Sequence, residues 1–362
     1  MALSLRYPVM ALEALLRLSG NRAYRQRPDE FGAFFGPGGL PEAARRCREA
    51  SGDLLAFLRA APGSTAPSGL RVGPARRAGR GLVHVPLSFD SPCPVGDPVN
   101  DRVHARVLLP SSGTRARRAV VFHHAIRHDR WRLWQWFVAP LARHAPVAIM
   151  AGPHHFERRR PGERPGLALC NGNPWRLYEG LRQWCADQQA LRIVLERSFG
   201  LEVAAVAGFS LGAFESLLAA AADCMPRVPL VSIASTCWYP WGLTRGWIGA
   251  PIVEALHGVG IDDELLFELT GALDLARHVH RLRDRPVLFI EGRWDRVDPP
   301  PSPERLREAL RPVRALRLEA GHGTLLLRRR AILRETIAFL GECGAIEARP
   351  RHGPSLGVEA AS

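Results

Sequence analysis

One serine of the chain stands between two glycines, where an apolar run gives way to an alanine- and leucine-rich stretch. The segment reads Gly-Phe-Ser-Leu-Gly, with Gly208 and Gly212 on either side of Ser210. Glycines at these positions allow a strand-to-helix turn that is too tight for flanking side chains. Such a turn pushes the serine hydroxyl out of the sheet, above a helix N-terminus whose amides favour developing negative charge. Ser210 is therefore a candidate nucleophile.

A serine hydroxyl becomes a good nucleophile only when a base takes its proton, and a carboxylate orients that base. His322 follows the predicted strand Ala315–Glu319, and Asp295 follows the predicted strand Val287–Glu291. Taken singly, each could be an ordinary turn or capping residue. The order Ser210, Asp295, His322, with all three just beyond strand ends, favours a Ser-His-Asp arrangement.

These three positions, in this order, resemble those of the α/β-hydrolase superfamily. The resemblance implies that Ser210 is the nucleophile, that His322 acts as general base and then as general acid, and that Asp295 holds the imidazole in its productive tautomer. Asp298, three residues later, is the alternative acid. Similar sequences usually carry an apolar or small residue at that place, which favours Asp295.

An oxyanion hole requires two backbone N–H donors, and the first is predicted at Leu211, directly after the serine. The second should come from the loop after the predicted strand Ala119–His123. Many superfamily members have His-Gly in this loop, whereas here His124 occupies the place of the glycine. The second donor is therefore open between His124 and Ala125, and the His124 side chain is a further alternative.

Two neighbouring loops contribute histidines to the same predicted edge of the sheet, namely His123, His124, His128, His154 and His155. Imidazoles are common metal ligands, but no acidic ligand accompanies these at a recognisable spacing, so no metal site is predicted. The Pro-His-His-x-x-Arg segment is similar to a poorly characterised branch of the superfamily. That resemblance implies that His155, Arg158 or Arg159 contacts a polar or anionic part of a substrate. A solvated arginine run is the alternative.

The elements that must position these residues alternate regularly from about residue 81, which is typical of strands followed by amphipathic helices. The predicted strands are Leu82–Phe89, Arg102–Leu109, Ala119–His123, Val147–Ala151, Val203–Gly208, Leu230–Ser235, Val287–Glu291 and Ala315–Glu319. The predicted helices are Leu133–Arg143, Pro174–Ser198, Leu211–Ala222, Leu273–Leu282, Pro303–Leu310 and Leu325–Leu340. This pattern predicts an α/β-hydrolase fold, with a mostly parallel central sheet and helices on both faces, and with the chemistry beyond the carboxyl ends of the strands.

Three segments are distinguished along the chain. Residues 1–80 are predicted to form a helical extension, with helices at Pro8–Ser19 and Pro41–Ala60, followed by a Pro- and Gly-rich linker. The hydrolase-like domain then covers 81–345, and a loosely ordered tail covers 346–362.

A long excursion at 237–271 interrupts the predicted domain and is rich in tryptophan and tyrosine. Aromatic residues in such an insertion are typical of a lid over an apolar site. Within it, Trp238 is predicted to contact the substrate.

Composition excludes several function classes. Of the 362 residues, 46% are apolar and 23% charged, which is typical of a folded protein and not of a fibrous or disordered one. The net charge of +14 raises the possibility of nucleic-acid binding, but the arginines are scattered, lysine is absent and no known binding motif frames them.

Seven cysteines without a C-x-x-C pair favour neither a disulfide framework nor a zinc finger. They indicate a reducing compartment, and the cytoplasm is the predicted location. Because no apolar run approaches the roughly 18 residues that a membrane-spanning helix needs, no integral membrane segment is predicted.

The sequence thus predicts a serine hydrolase that cleaves an ester, thioester or similar acyl bond of a small molecule through an acyl-enzyme intermediate. No metal or organic cofactor is required, because the three side chains and the backbone amides supply the chemistry. Two alternatives stay open. One is an acyltransferase that uses the same residues, and the other is a non-catalytic hydrolase-fold protein in which Ser210 and His322 are too far apart to share a proton. The pattern indicates neither the substrate nor the oligomeric state.

Overall fold

The computed structural model describes residues 6–24, 38–60, 66–79, 81–112, 116–126, 130–166, 168–170, 173–235, 242–246 and 249–347. A ten-stranded sheet forms its centre. The strands are β1 (Arg71–Val72), β2 (Arg76–Gly79), β3 (Leu82–Asp90), β4 (Arg102–Pro110), β5 (Arg118–His123), β6 (Val147–Met150), β7 (Glu202–Phe209), β8 (Leu230–Ile233), β9 (Val287–Gly292) and β10 (Arg314–Leu318). All eight predicted strands are present, and each differs from its predicted bounds by at most two residues at either end.

The sheet is antiparallel at one end and parallel through the rest. Its order is β1-β3-β4-β6-β5-β7-β8-β9-β10, with β2 paired on β3. Strand β4 runs antiparallel to β3 and β6, whereas the strands from β6 to β10 pair in parallel. Parallel strands need helical crossovers, which explains the alternation in the sequence. The predicted mostly parallel sheet is confirmed.

Helices cover both faces of this sheet. They are α1 (Arg6–Tyr24), α2 (Gly39–Gly52), α3 (Leu54–Arg59), α4 (Trp131–Val138), α5 (Pro174–Phe199), α6 (Leu211–Ala221), α7 (Leu243–Arg245), α8 (Ala250–Gly258), α9 (Asp263–Thr270), α10 (Ser302–Leu310) and α11 (Arg329–Glu342). Short 3₁₀ segments lie at Leu141–Arg143, Phe156–Arg158, Gly271–Leu273, Leu275–Arg277, Val279–Leu282 and Thr324–Arg328. Within the ranges given above, no helix combines the length and apolar character that crossing a membrane requires.

Two apolar clusters lie on opposite faces of the sheet. One contains α2, α3, α5 and α6, with Trp184 and Phe214 fully buried in it. The other contains α4 and α11, with Trp134 and Phe137 fully buried. Packing on both faces holds the strands in register and therefore fixes the positions of the loops at their carboxyl ends.

The structure differs from the prediction in several places: the predicted helix Pro41–Ala60 is divided into α2 and α3, and Leu133–Arg143 into α4 and a 3₁₀ segment. The predicted helix Leu273–Leu282 is a series of 3₁₀ segments, because the Asp274 side chain accepts a hydrogen bond from the Ala276 N–H and its own backbone is extended. In the predicted linker, β1 and β2 both pair with β3, so this segment belongs to the sheet.

A buried tyrosine joins α5 to the end of α9, and its removal should weaken the fold measurably. The Tyr178 hydroxyl donates to the Leu269 carbonyl oxygen at 2.9 Å, and the residue is fully buried. Tyr178→Phe leaves that carbonyl unpaired, so we expect the free energy of unfolding in urea to fall by about 1–3 kcal/mol. Tyr7→Phe is the matched control, since Tyr7 is 76% exposed. Equal stabilities of the two variants would contradict the expectation.

Candidate active site

The turn between β7 and α6 holds Ser210 in a backbone conformation that non-glycine residues rarely adopt, with φ 55° and ψ −114°. A Cβ atom on Gly208 would lie 2.3 Å from the carbonyl oxygen of Gly212, and one on Gly212 would lie 2.4 Å from that of His123. Neither distance is possible in a real structure, so the turn requires both glycines. The same close approach places the first turn of α6 against the end of β5.

The predicted nucleophile and base lie in hydrogen-bond contact. Ser210 Oγ is 2.8 Å from His322 Nε2. On the other side of the ring, His322 Nδ1 is 2.7 Å from Asp295 Oδ2. Ser210 is 5% and His322 8% exposed, so the contacts are shielded from bulk water. A hydroxyl in this arrangement can transfer its proton to an imidazole whose second nitrogen is held by a carboxylate.

The loops that carry Asp295 and His322 are hydrogen-bonded to each other. The N–H groups of Arg293 and Trp294, directly after β9, donate to the carbonyl oxygens of Leu318 and Ala320 at 2.9 Å each. These bonds extend the pairing of β9 with β10 beyond the ends of the strands. The distance between the carboxylate and the imidazole is therefore set by the sheet.

Of the two acids that the sequence offers, Asp295 faces the imidazole. Its Oδ1 accepts hydrogen bonds from the backbone N–H groups of Val297 at 2.8 Å and Asp298 at 3.2 Å, which leaves Oδ2 for His322. Asp298 is buried and reaches this carboxylate through its own backbone N–H. The geometry thus agrees with the preference for Asp295.

His322 experiences opposing electrostatic effects. Burial of the ring disfavours its charged form and lowers its pKa, but the charge and hydrogen bond of Asp295, together with Glu13 and Asp298, act in the opposite direction. The carboxylates prevail, and the pKa of His322 lies above its ordinary value of 6.5. The site therefore stabilises an imidazolium.

The predicted oxyanion donors lie on adjacent elements. Among the residues described, neither the Leu211 N–H nor the Ala125 N–H has an acceptor, so both can donate a hydrogen bond to a ligand oxygen. The His124 side chain is committed elsewhere, since its Nδ1 contacts the Ala125 carbonyl oxygen at 2.9 Å and its Nε2 accepts from the Gly152 N–H at 2.9 Å. The alternative in which this side chain binds the oxyanion is therefore not supported.

His155 is fully buried next to His124, with ring centroids 4.6 Å apart. Its Nδ1 is 2.8 Å from the Pro153 carbonyl oxygen, and its Nε2 has no partner within the described structure. Burial lowers the pKa of His155 to about 4, which keeps the ring neutral. Its contact with a substrate stays a prediction, as does that of Trp238, which lies outside the described residues.

Arg158, the second predicted substrate contact, lies inside the protein. It is fully buried, and its guanidinium donates to the carbonyl oxygens of Asn100 at 2.7 Å and Ala151 at 3.1 Å. Its NH1 also forms an ion pair with Asp187 Oδ2 at 2.8 Å, and Asp187 is equally buried. These internal contacts do not favour a substrate contact, which for Arg158 stays a prediction.

Of the predicted histidine group, His128 lies outside the described residues, whereas His123, His124, His154 and His155 are buried. His123 Nδ1 accepts from Trp184 Nε1 at 3.0 Å, and burial lowers the pKa of His123 to about 3. Its Nε2 lies 3.7 Å from Glu215, whose pKa is raised by burial, so burial favours the neutral form of both groups. Within the described ranges, no three His, Cys, Asp or Glu side chains are arranged to hold a metal ion.

Sequence reasoning missed two residues around the site. Glu13 approaches the His322 loop from α1, and Asp187 balances Arg158 from the middle of α5. Both are single acidic residues in helical stretches, and no local pattern distinguishes them from surface residues. Only their burial reveals them.

No protein-family model matches the sequence. No curated protein matches it either. Solved structures do resemble the chain. The acetyl xylan esterase 1 from Thermoanaerobacterium sp. JW/SL YS485 has a TM-score of 0.55 at 18% identity, over 80% of this chain and 98% of that one. An acetyl xylan esterase from Paenibacillus sp. R4 has a TM-score of 0.56 at 15% identity, over 89% and 99%.

A cold-adapted esterase from an Arctic intertidal metagenomic library has a TM-score of 0.50 at 17% identity, over 77% of this chain and 99% of that one. The chain has the α/β-hydrolase fold. Within this fold, Ser210 lies at the turn between the central strand β7 and the helix that follows it.

The buried ion pair between Arg158 and Asp187 can be tested by measuring the free energy of unfolding. Arg158→Met leaves the Asp187 carboxylate buried without its counter-charge, so we expect the free energy of unfolding to fall by about 3–5 kcal/mol. Arg160→Met removes an exposed partner of Asp97 and should change stability by less than about 1 kcal/mol. Chemical denaturation of both variants compares the two effects. If Arg158→Met loses as little stability as Arg160→Met, the Asp187 carboxylate is not shielded from water.

Proposed function

We propose that this protein is a serine hydrolase that cleaves an ester, thioester or similar acyl bond of a small molecule. The observation that carries the proposal is the continuous hydrogen-bonded chain from the Ser210 hydroxyl through His322 to Asp295, with distances of 2.8 and 2.7 Å. In the binding-only alternative the serine and the histidine would be too far apart to share a proton, and the 2.8 Å distance argues against it.

In the first half of the proposed reaction, Ser210 Oγ attacks the carbonyl carbon of the substrate while His322 Nε2 takes its proton. The carbonyl oxygen becomes negatively charged and accepts hydrogen bonds from the Leu211 N–H and from the backbone N–H of Ala125 or His124. The imidazolium then donates the same proton to the leaving group, the carbon–heteroatom bond breaks, and an acyl-enzyme forms on Ser210.

In the second half, His322 takes a proton from water as the water oxygen attacks the acyl carbon. The collapse of this second tetrahedral species returns the proton to Ser210 Oγ and releases the acid. Asp295 keeps its negative charge throughout and stabilises the imidazolium, which its hydrogen bond to Nδ1 supports. The residues described thus supply nucleophile, proton transfer and charge stabilisation.

The esterases that the chain resembles in fold support an ester as the bond cleaved and water as the acceptor. Acyl transfer to another acceptor would use the same residues. Quantifying free acid against transferred acyl group in the presence of added alcohols separates these two outcomes. The cytoplasmic location stays a prediction from the cysteine pattern.

The proposed nucleophile is tested by covalent labelling. Ser210→Ala removes the attacking oxygen, so we expect the loss of fluorophosphonate labelling and of p-nitrophenyl ester turnover. Ser111→Ala is the matched control, because its hydroxyl donates only to the Gly81 carbonyl oxygen at an exposed turn. Labelling is read by intact-mass spectrometry. A labelled Ser210→Ala protein would overturn the assignment of the nucleophile.

The choice between the two acids is tested by a pair of isosteric variants. Asp295→Asn should lower the ester turnover rate by roughly 10³- to 10⁴-fold, because the amide no longer holds the imidazole in its productive tautomer. Asp298→Asn should lower it far less, since the backbone N–H that binds Asp295 remains and the variant loses one of three carboxylate charges near His322. The turnover rates of both variants are measured by steady-state kinetics. A larger loss of rate in Asp298→Asn than in Asp295→Asn would identify Asp298 as the acid.

A further inference from the structure

Helix α1 places one carboxylate inside the protein although most of its described surface is open to solvent. Glu13 is 6% exposed, whereas Tyr7 and Leu15 on the same helix are 76% and 64% exposed. An acidic residue is rarely buried unless it has a partner, since burial of a charge is costly. The position of Glu13 therefore needs an explanation in terms of what it contacts.

Its partner is the backbone of the loop that carries His322. Glu13 Oε1 accepts a hydrogen bond from the Thr324 N–H at 2.7 Å. Thr324 is the first residue of the 3₁₀ segment Thr324–Arg328, and the residue before it, Gly323, has no side chain that could cap this segment. Glu13 thus caps, from a distant part of the chain, the turn that begins two residues after His322.

The Glu13 carboxyl group also contacts Gly321, the residue that precedes His322. A Cβ atom on Gly321 would lie 2.5 Å from Glu13 Cγ and 2.6 Å from Oε1, so the carboxyl group packs directly against this glycine. The Gly321 N–H in turn donates to Thr324 Oγ1 at 2.8 Å. Glu13 therefore contacts the backbone on both sides of His322 and limits the movement of the loop between them.

Its charge also acts on the imidazole. The charged and titratable groups that face His322 are Asp295 and Asp298 from the loop after β9, Glu13 from α1 and the hydroxyl of Ser210. Among these, Glu13 is one of three carboxylates that favour the protonated ring. In a shielded site, each negative charge stabilises the imidazolium that forms when Ser210 loses its proton.

We propose that Glu13 is a positioning residue of the active site, which holds the His322 loop through the Thr324 N–H and supports the imidazolium through its negative charge. The catalytic part of this inference rests on the proposed hydrolase function, whereas the effect on His322 itself does not. The N-terminal helix then belongs to the active site, although 311 residues separate the two partners in the sequence.

Two variants separate the contact from the charge. Glu13→Gln keeps an acceptor oxygen for the Thr324 N–H but removes the charge, and Glu13→Ala removes both. The matched control is Glu196→Gln, which neutralises an exposed glutamate on α5 that pairs with Arg192. Two quantities are measured against pH for each full-length protein, namely the rate of Ser210 labelling by a fluorophosphonate probe and the titration of the His322 ring by NMR.

The labelling rate requires a neutral His322, so its acid limb follows the pKa of that ring. For Glu13→Gln we expect the midpoint of the acid limb and the NMR titration of His322 to move to lower pH by about half to one unit. The plateau rate should fall several-fold. Glu13→Ala should show a comparable shift and a larger fall in rate, because the loop also loses its hydrogen bond. Glu196→Gln should coincide with the wild type.

An unchanged His322 titration in Glu13→Gln would overturn the proposal, even if Glu13→Ala loses stability, because a purely structural glutamate tolerates the isosteric amide. If Glu13→Ala does not fold, Glu13→Gln still decides the question. Failure of the wild type to be labelled at Ser210 would instead refute the hydrolase function. In that case a shifted His322 titration would still support the contact between Glu13 and the histidine loop.

Discussion

Where β7 meets α6 the chain reverses direction within one residue, and the space for that turn comes from the two missing Cβ atoms of Gly208 and Gly212. The close approach has three consequences. It forces Ser210 into a left-handed backbone conformation that directs its hydroxyl toward His322, it brings the N-terminus of α6 beneath that hydroxyl, and it packs this helix on the end of β5. A side chain at either glycine would displace all three features together.

The buried ionisable groups near this turn differ in their electrostatic surroundings. The imidazole of His322 is surrounded by carboxylates that raise its pKa, whereas His123 is fully buried beside Trp184 and Glu215, and burial lowers its pKa. Arg158 and Asp187 are both fully buried, and each charge is balanced by the other in an ion pair. Burial alone therefore does not determine the state of an ionisable group. The neighbours that the fold brings to it decide the outcome.

The strands and the serine turn could be predicted because they depend on local patterns: alternating apolar runs, and glycines two residues on either side of Ser210. The acid and the histidine could be proposed because parallel strands end at one edge of the sheet, so residues distant in sequence meet there. The burial of Arg158 could not be predicted, because a run of arginines carries no signal of which member is buried. Glu13 could not be found at all, since its role arises from a tertiary contact between the two ends of the chain.

The contact between α1 and the Thr324 turn has a consequence for biosynthesis. Chains emerge from the ribosome with the N-terminus first, and domains fold as units while synthesis proceeds. Helix α1 is synthesised early, and Thr324, the hydrogen-bond partner of Glu13, follows 311 residues later. The contact that holds the His322 loop can therefore form only after residue 324 has been synthesised, later than the strands up to β9 and the serine turn.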